Sequence, residues 1–288
     1  MAEKVPHLVS TQWLEEHLND PAVIVIDVRG YVVTRQVAPG VEEADYKGAC
    51  QEYMGGHIPG ASYVDWTADI IDPDDPVSVQ IALPDRFAEE MGKRGVGNDT
   101  HVIAVDHAGG QFATRLWWAL KYYGHDNVSV LDGGYLRWNE EERPLVEGPV
   151  TPDRQVFVPK CRPEWRKSAA DVLKLIGSPD VQLLDVRDRG QFSGERRRGP
   201  RGGHIPGAKS LPRELFLKPG CGFKAIEEIA EIVKSEGVTP EKPIVAYCNG
   251  GVAATVALFH LDRLGFKNLS NYDGSWNEWT ERNDLPVG

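Results

Sequence analysis

The chain has 288 residues, enough for about two domains, and its 41% hydrophobic and 26% charged residues are typical of an ordinary globular protein. Its net charge of −11 argues against nucleic acid or an anionic membrane as the main partner, because phosphate binding needs a basic face. No apolar stretch approaches the ~20 residues of a membrane helix and no signal-peptide pattern is present, so we expect a cytoplasmic protein.

The first half of the chain predicts strands that alternate with helices. In the helix-like segment "FATRLWWALKYYG", Phe112, Leu116 and Leu120 follow helical spacing and Gly124 provides a stop. Near-continuous apolar strands between helices indicate a parallel sheet with helices on both faces. The predicted elements in chain order are a helix in "TQWLEEHL", strands at 23–27 and 101–105, a helix in "FATRLWWALKYYG" and a strand at 128–131.

The second half of the chain repeats the first. Four blocks in the same order indicate a tandem duplication of one domain. We therefore predict an N-terminal domain at 1–145, a Pro- and Gly-bearing linker at 146–160 and a C-terminal domain at 161–288. The matching blocks are "VIVIDVRG" with "VQLLDVRD", "GGHIPGA" with itself, "HVIAVDHAGG" with "PIVAYCNGG", and "NVSVLDGGYLRWNEEERPL" with "NLSNYDGSWNEWTERNDLP".

A cysteine stands where a predicted strand of the second half becomes a helix. The apolar run 244–247 ends on Cys248, at the sheet edge where parallel sheets bind ligands. Glycines allow several backbone N–H groups to converge, and the helix N-terminus adds partial positive charge. This pattern predicts a nucleophilic Cys248 thiolate, with a small buried hydrophobe as the alternative. The candidate substrate-binding loop consists of Asn249, Gly250, Gly251, Val252 and Ala253.

The first half offers an internal comparison, because it carries Asp106 at the place of Cys248. A carboxylate cannot act as a sulfur nucleophile, so we expect only the second domain to be catalytic. The first loop is also one residue longer, since Asp106 to Asp132 spans 26 positions and Cys248 to Asp273 spans 25. The GHIPGA histidines, His57 and His204, occur in both halves, although only one half has the cysteine. A catalytic base would not be needed twice, so we predict that these histidines stabilise turns.

The remaining cysteines lack this strand–Cys–Gly-Gly–helix context. Cys50, Cys161 and Cys221 are interpreted as small buried hydrophobes, with Cys221 at best an accessory thiol. The four cysteines lie far apart and form no CxxC pair, which argues against a zinc site or a disulfide framework. Free thiols in a reducing cytosol are the expectation.

The order of DVR, GHIPGA, strand–Cys loop and YDGSWNEW resembles the tandem-domain rhodaneses, which comprise thiosulfate sulfurtransferases and 3-mercaptopyruvate sulfurtransferases. The resemblance covers nearly the whole chain. It implies two rhodanese-like α/β domains, of which the first, with Asp106, is non-catalytic. It also implies that Cys248 takes sulfur from a small anionic donor, holds it as a persulfide on the amides of residues 249–253, and passes it on. The implied acceptors are cyanide or a thiol, including thioredoxin-like or other protein thiols, and no metal or organic cofactor is implied.

The resemblance leaves the sulfur donor open. Thiosulfate-preferring animal enzymes resemble Cys-Arg-Lys-Gly in this loop and mercaptopyruvate enzymes resemble Cys-Gly-Ser-Gly, whereas this chain reads Cys-Asn-Gly-Gly. Gln191 also stands where the family tends to place an arginine. The candidate anion-binding residues are Arg187, Arg197 and Arg201, with a structural ion pair to Asp185 as the alternative for Arg187.

Two further functions stay open at this point. A non-enzymatic persulfide carrier would keep the same fold and thiol. A cysteine phosphatase is less favoured, because such enzymes need an arginine near the end of the loop, as in C-x5-R, to bind phosphate bidentately. Here the residue six after Cys248 is Ala254, and no arginine follows before Arg263.

Overall fold

The computed structural model describes residues 5–288 and shows the same sequence of core elements twice. The first half contains β1 (Leu8–Val9), α1 (Thr11–His17), β2 (Val23–Asp27), β3 (Gly30–Ala38), β4 (Val41–Gly48), α2 (Cys50–Gly55), β5 (Ser62–Tyr63), α3 (Pro84–Lys93), β6 (His101–Val105), α4 (Gln111–Tyr122), β7 (Val128–Leu131) and α5 (Gly134–Glu140).

The second half opens with a short 3₁₀ helix, Pro163–Trp165, and has a second one at Arg213–Phe216. Its other elements are β8 (Arg166–Lys167), α6 (Ala169–Leu175), β9 (Gln182–Asp185), α7 (Arg189–Ser193), β10 (Arg197–Arg198), β11 (Lys209–Ser210), α8 (Ile226–Ser235), β12 (Ile244–Tyr247), α9 (Ala254–Arg263), β13 (Leu269–Tyr272) and α10 (Ser275–Glu281).

Each half forms a five-stranded sheet, and the two sheets have the same topology. The strand orders are β1-β7-β6-β2-β5 and β11-β9-β12-β13-β8, the second being the first read from the other edge. All pairs in both sheets are parallel. Every residue of β7, β9, β12 and β13 is buried, as expected for strands covered by helices on both faces. The predicted fold class is confirmed.

A two-stranded arm leaves the first domain and was not predicted. Strands β3 and β4 pair antiparallel over residues 30–48, which we call the arm. Strand β4 also pairs in parallel with β10 of the second domain, with Arg198 opposite Glu42, so that β4 is the middle strand of a three-stranded sheet. The arm therefore places side chains of the first domain beside β10 of the second.

The two domains pack through equivalent elements. Helices α4 and α9 meet where the hydroxyls of Thr114 and Thr255 lie 2.9 Å apart. Each DG-motif aspartate accepts a backbone N–H from the other domain, at 3.1 Å for Asp132 and 3.0 Å for Asp273. One hydrophobic cluster runs through both domains. The interface is thus a buried part of the fold, with approximate two-fold symmetry.

The segment between the domains lies on the first domain. Residues 149–162 form neither helix nor strand. Backbone hydrogen bonds hold the segment, from Gln155 N to Gly92 O at 3.0 Å and from Lys160 N to Tyr123 O at 2.8 Å. The boundaries 1–145, 146–160 and 161–288 stay a prediction. Over residues 5–288, no helix has both the length and the hydropathy that a membrane crossing requires.

Candidate active site

Cys248 lies at the carboxyl end of β12, in the wall of a cavity between the two domains. Cys248 is 4% exposed, and the cavity has a volume of about 220 Å³. The cavity wall includes Val32, Thr34, Tyr46 and Gln111 from the first domain, and Arg187, Gln191, Arg198, Arg213, Cys248 and Asn249 from the second. A buried sulfur thus still has a space in front of it that can hold a small molecule.

The first turn of α10 holds the loop that follows Cys248. The Cys248 N–H donates to Ser275 Oγ at 3.2 Å, and Trp276 N donates back to Cys248 O at 3.0 Å. Asn277 N donates to Asn249 O at 2.8 Å. The DGSW motif, residues 273–276, therefore helps to position the cysteine.

Glycine is required at position 251 of this loop. Its φ is +70°, a conformation that side-chain-bearing residues rarely adopt. A Cβ atom there would lie 2.5 Å from the carbonyl oxygen of Asp273. The tight turn at Gly251 thus depends on the absence of a side chain.

A buried arginine of the first domain supports the same turn. Arg115, on α4, donates Nη1 to Gly251 O at 3.2 Å and to Asp273 Oδ1 at 2.5 Å. Asp273 Oδ2 also lies 3.1 Å from Arg166 Nε. Arg115 and Asp273 are both almost fully buried. The first domain therefore contacts the cysteine loop through an ion pair shielded from water.

The backbone N–H groups of the loop are available to a ligand. Within residues 5–288, no oxygen atom accepts a hydrogen bond from the N–H groups of residues 249–253. In the first domain the equivalent groups are occupied by Asp106: Oδ1 accepts from Ala108 N and Gly110 N, and Oδ2 from Phe112 N and Ala113 N, at 2.8–3.1 Å. The strand–loop–helix of this fold is thus able to bind an anionic group with backbone donors alone.

Arg187 lies in the cavity wall and also forms the ion pair with Asp185. Its Nε and Nη2 donate to Asp185, with Nη2 to Oδ2 at 2.5 Å, and Nη2 donates to Gly203 O at 2.7 Å. The guanidinium stacks over Trp276 at 4.3 Å from the ring centroid. Burial opposes its charge, but the hydrogen bonds and charge of Asp185 outweigh burial and raise the pKa of Arg187. Its charge is therefore fixed and held in place beside Cys248.

The structure places Arg197 and Arg201 outside the cavity wall. Arg201 Nε donates to Thr280 O at 3.0 Å and its Nη1 to Leu285 O at 2.7 Å, so its guanidinium closes the end of α10. Arg197 Nη1 donates to Pro200 O at 2.6 Å.

Two other arginines line the cavity instead. Arg198 donates Nη2 to Thr34 Oγ1 at 2.6 Å, and Arg213 donates Nη1 to Gln111 Oε1 at 2.5 Å. Neither was among the candidate anion-binding residues predicted from the sequence, which were Arg187, Arg197 and Arg201. Both contacts are made with the first domain, so only the packing of the two domains reveals them.

A chain of hydrogen bonds connects the arm to the cysteine loop. Glu42 Oε2 accepts from Gln191 Nε2 at 2.7 Å, and Gln191 Oε1 accepts from Asn249 Nδ2 at 2.9 Å. Because an ionised carboxylate only accepts, Glu42 fixes which way the Gln191 amide points. Burial alone would raise the pKa of Glu42, but hydrogen bonds from Arg196 and Gln191 outweigh it and hold that pKa below its usual value.

The two GHIPGA histidines have equivalent structural roles, as predicted. His57 Nδ1 donates to Tyr53 O at 2.9 Å, and His204 Nδ1 donates to Phe192 O at 3.0 Å. Each imidazole stacks on the ring of the residue whose carbonyl it contacts. Neither lies in the cavity wall.

The interpretation of the other cysteines as buried hydrophobes is wrong. Cys50 and Cys161 are exposed and Cys221 is half-buried, while all four cysteines are free thiols. Cys50 begins α2 and Cys161 lies in the segment without helix or strand, so neither faces a core. Cys221 lies in the wall of a second cavity, next to the Asp106 loop.

Comparison with known proteins agrees with this architecture. The Rhodanese-like domain family matches twice, at residues 10–141 and 168–282. The chain is 36% identical to the 3-mercaptopyruvate sulfurtransferase of Escherichia coli (strain K12) over 282 residues, which covers 97% of this chain and 96% of that protein. It is 35% identical to the thiosulfate sulfurtransferase of Gallus gallus over 282 residues, which covers 96% and 93% respectively.

A solved structure shows the same similarity in three dimensions. The crystal structure of SseA from Escherichia coli, described as a 3-mercaptopyruvate sulfotransferase with the rhodanese fold, superposes with a TM-score of 0.80 at 34% identity. The match covers 94% of this chain and 99% of the other. The predicted family is confirmed: the chain belongs to the rhodanese family of sulfurtransferases and is built from two tandem rhodanese-like domains.

Proposed function

We propose that the protein transfers a sulfane sulfur from thiosulfate or 3-mercaptopyruvate to cyanide or a thiol through a persulfide on Cys248. The observation that carries this proposal is the contrast between the two loops. The Asp106 carboxylate occupies four backbone N–H groups of its loop, whereas those of residues 249–253 have no oxygen acceptor within residues 5–288. The second loop therefore combines a nucleophile with unused donors.

The proposed reaction has two steps. In the first, the Cys248 thiolate attacks the outer sulfur of the donor and a new S–S bond forms. The donor's own bond to that sulfur breaks, so that thiosulfate leaves as sulfite, and 3-mercaptopyruvate leaves as the enolate of pyruvate, which then takes a proton. In the second step the acceptor attacks the outer sulfur and Cys248 leaves as a thiolate. Such covalent catalysis gives ping-pong kinetics.

The surrounding groups supply the positive potential that this chemistry needs. The free N–H groups of Asn249, Gly250, Gly251, Val252 and Ala253 would hold the anionic persulfide, helped by the N-terminus of α9. Arg187 and Arg213 lie in the cavity wall, where they would orient the anionic part of the donor. We assign no contact with the donor to Arg197 or Arg201, because carbonyl groups already occupy these side chains.

The acceptor in the cell is proposed to be a reduced thiol, on a small molecule or on a thioredoxin-like protein. Four free cysteines, two of them exposed, support a reducing compartment such as the cytoplasm. A thiol acceptor would also regenerate the Cys248 thiolate directly, so this step would need no cofactor.

Thiocyanate formation tests the proposal. The protein is incubated with thiosulfate or 3-mercaptopyruvate plus cyanide, and intact mass is recorded before cyanide is added. We expect the mass of one extra sulfur atom on the native chain, then turnover to thiocyanate. Cys248→Ser should show neither, whereas Cys221→Ser, which alters a half-buried thiol of the second cavity, should keep both. Full turnover by Cys248→Ser would exclude the proposal.

The same experiment distinguishes the carrier alternative. A persulfide that forms on Cys248 but is not released to cyanide, and moves only to a protein thiol, would indicate a carrier.

The phosphatase alternative needs an arginine in the loop. Arg263 is the first arginine after Cys248, and it is the last residue of α9, where its Nη1 contacts His260 Nδ1 at 3.0 Å. The cavity therefore has no arginine placed as the phosphatase loop requires, within residues 5–288.

A further inference from the structure

Glu42 belongs to the first domain but lies against the wall of the catalytic cavity. It is 8% exposed. Its oxygens accept from Gln191 Nε2 at 2.7 Å and from Arg196 Nη1 at 2.6 Å, and Arg198 Nε lies 3.9 Å away. Gln191 and Arg198 themselves line the cavity. One carboxylate thus lies directly behind two side chains that a donor would meet.

This carboxylate reduces the positive charge available to a donor. Arg198 lines the cavity and Arg196 lies two residues before it in the sequence, and both have Glu42 as an ion-pair partner. Arg187 is paired with Asp185. The third side chain on Glu42, Gln191, is a neutral amide whose N–H points at the carboxylate. The remaining cavity-wall arginine is Arg213, and the wall also includes the carboxylates of Asp188 and Glu214, so it has little uncompensated positive charge.

From these contacts we propose that Glu42 sets the donor preference of the Cys248 site, by disfavouring dianionic donors such as thiosulfate relative to monoanionic donors such as 3-mercaptopyruvate. The proposal rests on the sulfur transfer proposed above. The physical reason is that the interaction energy of a fixed charge scales with the charge of the ligand. A negative charge behind the wall therefore acts twice as strongly on a dianion, and a preference follows without direct contact between Glu42 and the donor.

The deciding experiment compares kcat/KM for the two donors at constant ionic strength in the native protein, Glu42→Gln and Glu43→Gln. Glu43 is the matched control, since it lies next to Glu42 on β4 but is 58% exposed and paired with Arg35. Removing the Glu42 charge should raise kcat/KM about 10-fold for thiosulfate and about 3-fold for 3-mercaptopyruvate, since the logarithms scale with ligand charge. Glu42→Asp, which keeps the charge, should retain the native ratio of the two donors.

Two outcomes would overturn the proposal. One is an unchanged ratio of kcat/KM for the two donors in Glu42→Gln. The other is an equal change of this ratio in Glu43→Gln, which would mean that only the net charge of the protein matters. If Glu42→Gln fails to fold, Thr34→Asp tests the same idea, because Thr34 is an exposed arm residue in the cavity wall. This added carboxylate should lower kcat/KM for thiosulfate more than for 3-mercaptopyruvate, and an unchanged ratio would reject the role of the arm. Failure of the proposed function itself has a different signature, namely no persulfide and no thiocyanate from the native protein.

Discussion

The Asp106 loop and the Cys248 loop are two versions of one structure with opposite occupancy. Both follow a buried strand, both contain a glycine in the left-handed region, with φ of +78° at Gly110 and +70° at Gly251, and both precede a central helix. In the first loop the chain's own carboxylate accepts from the N–H groups, and in the second no oxygen atom of residues 5–288 does so. The first copy thus supports the proposal that the second binds a negatively charged group at the end of the strand.

The comparison also shows what the first domain contributes to the Cys248 loop. Its helix α4 carries Arg115, which contacts the carbonyl of Gly251, and its arm carries the side chains that close one side of the cavity. At the equivalent position α9 has Val256, one residue after Thr255, as Arg115 follows Thr114. The two copies have therefore diverged, since the first supplies contacts to the cysteine loop of the second that the second does not supply in the same form to the first.

The largest expected effect comes from making the second loop resemble the first. In Cys248→Asp, sulfur transfer should be lost completely, because a carboxylate cannot act as the sulfur nucleophile. The new carboxylate should also accept hydrogen bonds from the N–H groups of the loop. The free energy of unfolding should rise by about 1–3 kcal/mol, since charge-assisted hydrogen bonds replace unmade ones. Thiocyanate assays and urea denaturation at pH 7 measure the two effects.

Cys248→Ser is the control for this substitution, because it removes the sulfur and adds no charge. It should be equally inactive but without the gain in stability. If Cys248→Asp is instead less stable than Cys248→Ser, the second loop is not an anion site of the same kind as the first.

The next largest effect is expected from the contact between the two copies. Arg115→Met removes one partner of a buried pair and leaves the Asp273 carboxylate with Arg166 as its remaining ion-pair partner among residues 5–288, beside the Ile81 N–H. Such a loss costs about 3–5 kcal/mol, because the remaining charge is still desolvated. The Gly251 carbonyl also loses a donor, so we expect kcat to fall on the order of 10-fold, equivalent to about 1.4 kcal/mol in the transition state.

Urea denaturation and steady-state kinetics measure this prediction. Arg35→Met is the matched control: Arg35 also forms ion pairs, with Glu43 and Asp45, but its side chain is 58% exposed. The control should change stability by less than about 1 kcal/mol, as exposed pairs do. A drop in stability in Arg115→Met with kcat fully retained would show that the first domain supports folding only, and not the loop geometry.

A smaller effect is expected when the first loop is opened. Asp106→Asn keeps the shape of the side chain but removes its charge and one of its two accepting oxygens, so part of the four N–H contacts is lost. The free energy of unfolding should fall by about 2 kcal/mol, because buried donors lose a charged acceptor. Turnover per folded molecule should stay close to native. A large loss of turnover at unchanged stability would contradict the purely structural role of Asp106.

Much of this comparison was predictable from sequence, because it depends on local pattern. The strand 244–247 coincides with β12, and the Asp106 substitution follows from aligning the two halves. Each element around Cys248 depends on residues that are neighbours in sequence: a buried strand, a Gly-Gly turn and a helix. The order of these elements alone therefore places Cys248 at the sheet edge.

The cavity wall was not predictable in the same way, since its contacts join residues that are distant in sequence. Glu42 and Gln191 meet across 149 positions, and Arg213 and Gln111 across 102. One signal of the arm was present: Arg29 and His57 are 28 positions apart, whereas Arg187 and His204 in the second copy are 17 apart. That excess marks an insertion, but where it packs depends on the tertiary structure.

The smallest effect concerns acid stability and again separates the two copies. Burial lowers the pKa of His101 to about 4 and also lowers the pKa of His125, and both residues belong to the first domain. Their folded pKa values lie below those of the unfolded chain, so the unfolded state takes up protons first as pH falls through about 6.5. We expect the free energy of unfolding to decrease by on the order of 1 kcal/mol per such histidine between pH 7 and pH 5.5.

Carboxylates such as Glu42, whose pKa is lowered, lose their contribution to stability only at lower pH. In urea titrations at both pH values, His101→Asn should show a smaller decrease than the native protein. An equal decrease in His101→Asn would show that His101 does not contribute to the acid sensitivity, which would then belong to the other buried histidines with a lowered pKa, His125 of the first copy and His260 of the second.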